Sequence, residues 1–176
     1  MSSPQATTIR SISPSDSIEE LAALLHRSYA TLGKMGLNYT AVDQTLEVTL
    51  SRMKGGVCLV ATDANGRIIG TAMFYPHGRS GDTPWFDRPE VAKCGQLAVD
   101  PPFQERGIGA RLMDAVEDAA RAAGASEIAL DTAESATHLI DWYGRRGYRF
   151  IEYAQWEGKC YRSVILSKPL QLTPST

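Results

Sequence analysis

The sequence predicts an α/β fold in which a mixed, mostly antiparallel sheet carries one central parallel strand pair and is flanked by helices. Three observations point to it. Residues 57–62 and 68–74 are apolar strand runs separated by Asp63-Ala64-Asn65-Gly66, which has the chemistry of a hairpin turn. Residues 91–99 and 128–131 are also strand-like, and a helix-length segment lies between them. That is the pattern of a βαβ crossover, which sets its two strands parallel and side by side. Residues 148–156 and 160–166, separated by Glu157-Gly158-Lys159, read as a closing hairpin.

In chain order, residues 9–12 form a short first strand. Ser17-Ile18-Glu19-Glu20 has the Ser-x-x-Glu spacing of a capping box, and Ile18, Leu21, Leu25 and Tyr29 recur at helical spacing behind it. Residues 32–39 carry two glycines and little periodicity, and read as a loop. Thr40, with Asp43 three residues on, reads as a second N-cap, and Val42, Leu46, Leu50 and Met53 continue a helix that Gly55-Gly56 stops. The stretch 76–89 is long, polar and rich in Gly and Pro, open both to a functional reading and to that of a mobile surface excursion. Gly95 interrupts the strand 91–99 and is the expected mark of a bulge. Ile108, Leu112, Val116, Ala119 and Ala123 line one face of the next helix, closed by Gly124. Ala136, Leu139, Ile140 and Tyr143 mark the last helix, ended by Gly147.

The chain has 176 residues, enough for one domain over 1–176 with its core at about 8–168 between short polar tails. Hydrophobic residues are 43% and charged residues 22%, and the formal net charge of -2 gives no electrostatic case for nucleic acid or an anionic membrane surface. No apolar run reaches the length of a membrane span, and Met1-Ser2-Ser3-Pro4-Gln5 lacks the basic and apolar regions of a signal peptide. Cys58, Cys94 and Cys160 are odd in number, widely separated and set among apolar residues. They read as reduced core cysteines of a cytoplasmic protein, without metal site or disulfide. His26 and His77 have no partner at metal-ligand spacing and read as ordinary surface or half-buried histidines.

The stretch Gln96-Leu97-Ala98-Val99-Asp100-Pro101-Pro102-Phe103-Gln104-Glu105-Arg106-Gly107-Ile108-Gly109-Ala110 runs from a strand end through a proline-stiffened turn into a helix. Such a passage aims free backbone N–H groups and the positive end of a helix dipole at one point, which suits a phosphate or diphosphate. Gly107 and Gly109 lack a Cβ, so an anion can approach closely; equally, they permit a tight turn and nothing more. A nucleoside-triphosphate loop is excluded by the absence of a Gly-Lys-Ser/Thr ending. The dinucleotide fingerprint fails at Leu112, where a third small residue is required.

Gln104-x-x-Gly107-x-Gly109 resembles the acyl-CoA signature of the GCN5-related N-acetyltransferase (GNAT) family, Gln/Arg-x-x-Gly-x-Gly/Ala. Leu97-Ala98-Val99 before Asp100-Pro101 resembles the family's strand end ahead of that loop, and Tyr143-x-x-x-Gly147-Tyr148 its later Tyr-x-x-x-Gly-Phe/Tyr element. The resemblance covers nearly the whole chain, most specifically residues 96–148, and implies the acyl-CoA N-acyltransferase fold. One departure is Ala136, which stands where many members carry Asn early in the tyrosine-bearing helix. Its contact would have to come from Ser135 or Thr132, or be absent.

What the resemblance implies is an acetyl-CoA-dependent N-acetyltransferase without a metal, acting by direct attack of a primary amine on the thioester. Its diphosphate grip would be Gln104, Glu105, Arg106, Gly107, Ile108, Gly109 and Ala110, and its pantetheine edge Leu97, Ala98 and Val99, with a backbone N–H near Val99 holding the developing oxyanion. Tyr143 would be the acid for the departing thiolate; on its own residues it also reads as a core aromatic. Glu90, Asp131, Glu134 and His138 lie near the expected cleft, and none stands out as the base. Residues 32–39 and 157–159, with Tyr29, Tyr39 and Trp156 as walls, would form the acceptor pocket. It fits a small amine, an amino acid derivative or a protein N-terminus better than an aminoglycoside, which wants an acidic cleft. A homodimer stays open, as does a non-catalytic acyl-CoA sensor, whose support is Ala136 and the unnamed base.

Overall fold

Seven strands form one sheet in the spatial order β1-β2-β3-β4-β5-β7-β6 in the computed structural model, which describes residues 6–76 and 83–171. The strands are β1 (Thr8–Ser11), β2 (Val57–Thr62), β3 (Ile68–Tyr75), β4 (Val91–Val99), β5 (Glu127–Ala133), β6 (Arg149–Ala154) and β7 (Ser163–Pro169). The helices are α1 (Ile18–Lys34), α2 (Leu46–Met53), α3 (Ile108–Ala122) and α4 (Thr137–Arg145). β4 and β5 pair in parallel and the other neighbours antiparallel, as the crossover and hairpin signals require. The turn after β2 forms at the expected place, with Asn65 and Arg67 donating their amides to the Asp63 carboxylate.

Two apolar layers cover the two faces. On one, α3 lays Ile108, Leu112, Met113, Val116 and Ala120 over Ile69, Ala92, Cys94, Ile128 and Leu130. On the other, α1 sets Leu21, Leu24 and Leu25 against Val60, Ile68, Met73 and Ala98. Each fully buried aliphatic side chain of this kind stabilises the fold by roughly 1.5–3 kcal/mol relative to exposure. Burial pushes the Cys94 thiol up to about 12, in line with an inert core cysteine, and Cys58 is buried likewise.

Several local expectations change. Helix α1 runs through Lys34 rather than stopping before Leu32. Leu32 is buried, and the true stop is Gly36, whose φ of 81° lets the Leu37 amide return to the Leu32 carbonyl at 3.1 Å. Thr40 opens only a 3₁₀ turn over Thr40–Val42; α2 is capped by Thr45, whose hydroxyl accepts from the Val48 amide. That break shifts the helical phase, so Leu46 and Leu50 stand 41% and 47% exposed and Thr49 is the residue turned inward. On α3, Ala120 is buried and Ala123 exposed. Cys160 is exposed, not a core residue. The closing hairpin has the longer connection 155–162, and β7 inserts between β5 and β6. The 76–89 stretch is anchored in its later half by Phe86, fully buried against Val91, Ala129 and Ile165. Residues 77–82, and with them His77, lie outside the described residues.

Candidate active site

The parallel pair is short. β4 and β5 are in register only at Val91↔Glu127, Ala92↔Ile128 and Lys93↔Ala129, and then part. On the other side of β4 the pairing with β3 slips between Thr71 and Met73, where one extra residue enters β4. That residue is Gln96, at φ 51°, next to the glycine that signalled it. Beyond the bulge the antiparallel alternation is fixed by the Asp100 amide on the Ile69 carbonyl, 2.9 Å. It follows that Leu97 and Val99 turn their peptide groups away from β3, into the gap. The Glu134 amide on the Arg162 carbonyl fixes β5 in the same way and turns Asp131 and Ala133 to the gap from the other side.

The gap's carbonyls are served by side chains. Tyr29 donates its hydroxyl to the Leu97 carbonyl at 3.1 Å, and Ser28 and Gln104 donate to the Val99 carbonyl at 2.9 and 3.0 Å. The Tyr39 hydroxyl accepts from the Ala133 amide at 2.8 Å and shares a hydrogen bond with the Thr132 hydroxyl, also 2.8 Å. The amides of Leu97 and Val99 meet no side-chain acceptor among the described residues. An extended amide-bearing chain would find donors there.

Past Val99 the chain makes a 3₁₀ turn over Pro101–Phe103 and enters α3 from Gly107, at φ 77°. The first intrahelical bond is the Arg111 amide on the Gly107 carbonyl, and no side chain caps the helix, so the amides of Ile108, Gly109 and Ala110 point outward. Glu105 takes φ 62°, a positive value uncommon for a residue with a side chain. A Cβ at Gly107 would meet nothing within 4 Å, whereas one at Gly109 would touch Val99 and Trp142 at ordinary distance. The helix N-terminus is thus an open cradle of donors suited to a diphosphate.

An anchor that sequence reasoning missed holds this loop. Asp100 is 1% exposed, takes both Arg27 hydrogen bonds at 3.0 Å and one from Arg67 at 2.9 Å. Arg27 comes from α1 and Arg67 from the β2–β3 turn, 73 and 33 residues away, so nothing local in the sequence signals it.

Tyr143 lies 8% exposed with its ring edge-on to Trp142 and Tyr148, centroids at 5.0 and 5.7 Å. Burial raises its phenol well above the ordinary value, with smaller contributions from Cys94, Tyr29, Tyr39 and Asp131. Cys94 packs on the α3 face, while Tyr29, Tyr39 and Asp131 belong to the α1 side. Tyr143 thus packs in the α3-side core within electrostatic reach of groups on the other side, and stays protonated across the physiological range.

On the α1 side, Asn38 stitches together the two loops expected to build the acceptor pocket. It donates to the Gly158 carbonyl at 2.8 Å, accepts from the Cys160 amide at 2.9 Å, and its own carbonyl accepts from Lys159 at 2.7 Å. Tyr39 stacks on Tyr161 at 5.0 Å and leans on Tyr29 at 5.7 Å. Trp156 donates its indole N–H to Asp131 at 3.0 Å, with Lys93 at 3.6 Å from the same carboxylate. Asp131 acts electrostatically on Tyr29, Tyr39, Tyr143 and Tyr161.

The other three acid–base candidates are elsewhere. Glu90 precedes β4, at the opposite end from the gap, and pairs with Arg88. Glu134 is held by two hydrogen bonds from Arg162, and His138 is exposed on α4. Of the proposed substitutes at the Ala136 departure, Thr132 is engaged by Tyr39 and Ser135 is exposed. Among the described residues there is no cluster of metal-ligating side chains and no helix long and apolar enough to cross a membrane.

Residues 19–148 match the model of the acetyltransferase (GNAT) family. The chain is 29% identical over 159 residues to the S-(2-succino)cysteine N-acetyltransferase of Bacillus subtilis (strain 168), covering 87% of this chain and 90% of that one. It superposes on the ribosomal-protein-S18-alanine N-acetyltransferase of Escherichia coli with a TM-score of 0.71 at 16% identity, over 97% and 98% of the two chains. A GNAT acetyltransferase from Elizabethkingia anophelis with acetyl-CoA bound gives 0.66 at 21% identity, over 93% and 98%. With the strand gap, the donor-lined helix entry and this match in view, the chain belongs to the GNAT family of acetyl-CoA-dependent acetyltransferases.

Proposed function

We propose that the protein transfers the acetyl group of acetyl-CoA to the primary amine of a small, amino-acid-like acceptor, by direct attack with both substrates bound together. The reading is supported by the parting of β4 and β5 after Lys93 and Ala129, which turns Val99 and Asp131 toward one gap, with Tyr143 in electrostatic reach of Asp131. The amides of residues 105–110 hold the diphosphate, with Gln104 tying their loop to Val99. The pantetheine arm lies along Leu97, Ala98 and Val99, and the Val99 amide is the donor for negative charge developing on the thioester oxygen. Asp131 draws the acceptor's ammonium toward the gap and takes, directly or through water, the proton it must lose before attack. Tyr143, kept protonated by burial, supplies a hydrogen bond and then a proton to the departing sulfur.

A small acceptor is favoured because hydrogen bonds through Asn38 and Tyr39 tie the loops of the acceptor side to each other and to β5. The activity that the Bacillus subtilis relative's name records, on an S-substituted cysteine, is of this class. The test is CoA thiol release with a panel of amines, run on wild type and Tyr143→Phe. Turnover of the variant should fall about 10²-fold, with acetyl-CoA affinity within twofold. Undiminished turnover would remove Tyr143 from the mechanism, and thiol release with no amine on the panel would refute the transferase reading.

A further inference from the structure

Arg52, at the end of α2, is half-buried and makes no ion pair among the described residues. Its position is nonetheless built. It donates to the Gln44 side-chain oxygen at 2.7 Å, and Gln44, only 4% exposed, uses its amide N–H groups on Gln96 at 3.1 Å and Thr49 at 2.8 Å. Thr49 in turn donates to the Thr45 carbonyl, and Tyr75 donates its hydroxyl to the Arg52 carbonyl. A buried amide relay thus fixes a guanidinium relative to the strained bulge residue of β4. Burying such a relay costs free energy unless its members find partners, and among the described residues the cation it aims has no anionic one.

A second cation faces it. Lys159 reaches from the 155–162 connection to the Asn38 carbonyl and to the Thr40 hydroxyl, at 2.7 and 2.9 Å, and it too makes no ion pair among the described residues. Burial, and after it the Arg52 charge, pull the Lys159 ammonium below its usual range, against the opposing pull of Asp43, Cys160 and Asp131. Arg52 also acts on the phenol of Tyr29, which is bonded to the Leu97 carbonyl in the gap. Two like charges are thus each held by neutral partners, Arg52 by Gln44 and Lys159 by Asn38 and Thr40, within electrostatic reach of one another; Arg52 acts on Tyr29 and Lys159 feels Asp131 in the same way. An arginine forks onto a carboxylate with two parallel hydrogen bonds, and a lysine adds a point charge beside it.

We propose that Arg52, assisted by Lys159, binds a carboxylate of the acceptor, so that the protein acetylates carboxylate-bearing amines whose ammonium is directed to Asp131. The proposal rests on the transferase reading above and narrows its substrate class. It assigns Arg52 and Lys159 to specificity and Gln44 to positioning.

The test compares S-carboxymethylcysteine with its diamide, which keeps the shape and the amine and loses both charges. Wild type should prefer the acid at least tenfold in kcat/KM, although more of the diamide's less basic amine is deprotonated at neutral pH. Arg52→Gln should lower kcat/KM for the acid 30-fold or more, mostly through KM, and for the diamide less than threefold. Arg52→Lys should recover part of the loss, and Lys159→Met should give a smaller loss of the same kind. Equal acceptance of acid and diamide by wild type overturns the proposal, as does an equal loss on both substrates in Arg52→Gln. If neither probe releases thiol, a thermal shift given by the acid alone and abolished in Arg52→Gln still supports the carboxylate site while the transferase reading fails. Absence of that shift refutes the site.

Discussion

Asp100→Ala probes the link between the core and the donor cradle. The carboxylate is 1% exposed and receives three charged hydrogen bonds, two from Arg27 and one from Arg67. Removing one member of a buried pair typically costs about 3–5 kcal/mol. Both arginine side chains are 43–51% exposed, however, so water recovers part of the lost interaction. A net loss of about 2–3 kcal/mol follows, which in a domain of this size lowers Tm by roughly 5–10 °C. The Asp100 carbonyl also accepts the Phe103 amide at 2.8 Å, so the carboxylate fixes the start of the turn that leads into α3. Misplacing the cradle by the equivalent of one charge-assisted hydrogen bond raises the Kd for acetyl-CoA about tenfold. Differential scanning calorimetry and isothermal titration with acetyl-CoA measure the two effects. A Tm within 1 °C of wild type would refute the energetic reasoning. A normal Kd alongside a lowered Tm would show that Asp100 supports the core without setting the loop.

Gly107→Ala places a side chain at φ 77° where space is open; it should cost about 1 kcal/mol in stability and weaken acetyl-CoA more than it weakens a CoA fragment lacking the diphosphate, measured by titration with both. Asp16→Asn tests the tie between β1 and α1. Arg10 at 2.7 and 2.9 Å, desolvation notwithstanding and with Ser13 assisting, holds the Asp16 carboxyl well below its usual range, so its contribution is present above about pH 4 and fades as pH falls further. The variant should melt roughly 2–4 °C below wild type at pH 7, and the two melting curves should converge toward pH 2. A constant difference across that range would show that the charge is immaterial.

The sequence made the sheet order's informative part legible, because a strand, a 15-residue helix and a second strand leave little choice but a parallel pair. It also carried the cradle, since Gly107, Gly109 and the helix start are consecutive. The gap itself was half visible: Gly95 signalled a bulge, yet the residue that takes the strained conformation is Gln96. What escaped was whatever depends on phase or on distant charge. The helical period of Val42, Leu46 and Leu50 runs through Asp43-Gln44-Thr45 without a visible stop, and only the Thr45 cap shows that the pattern restarts and turns Leu46 outward. Gln44, an unremarkable polar residue in sequence, is the buried joint of the relay to Arg52. Asp100 reads as part of a turn, and its two arginines carry no spacing that would announce them.

The broken ladder explains why α1 belongs to the site as much as to the core. When β4 and β5 part after Lys93 and Ala129, peptide groups on both strands lose their partners, and buried polar groups without partners are costly. The chain answers selectively. Tyr29 and Ser28 of α1, with Gln104, supply three hydrogens to the Leu97 and Val99 carbonyls, while among the described residues no side chain supplies an acceptor to the corresponding amides. A carbonyl retains a second lone pair after accepting one hydrogen bond, whereas an amide has a single hydrogen to give. Amides without a partner keep the gap receptive to oxygen acceptors, which is what the proposed binding of a thioester and its amide arm requires. The same face of α1 that carries Tyr29 buries Leu25 one turn earlier, so the helix is locked in place by its apolar contacts before Tyr29 reaches the gap. A helix that carries Asp100's partner Arg27, then Ser28 and Tyr29, on consecutive positions thus ties the loop and the strand edge into one frame, and displacement of one displaces the other.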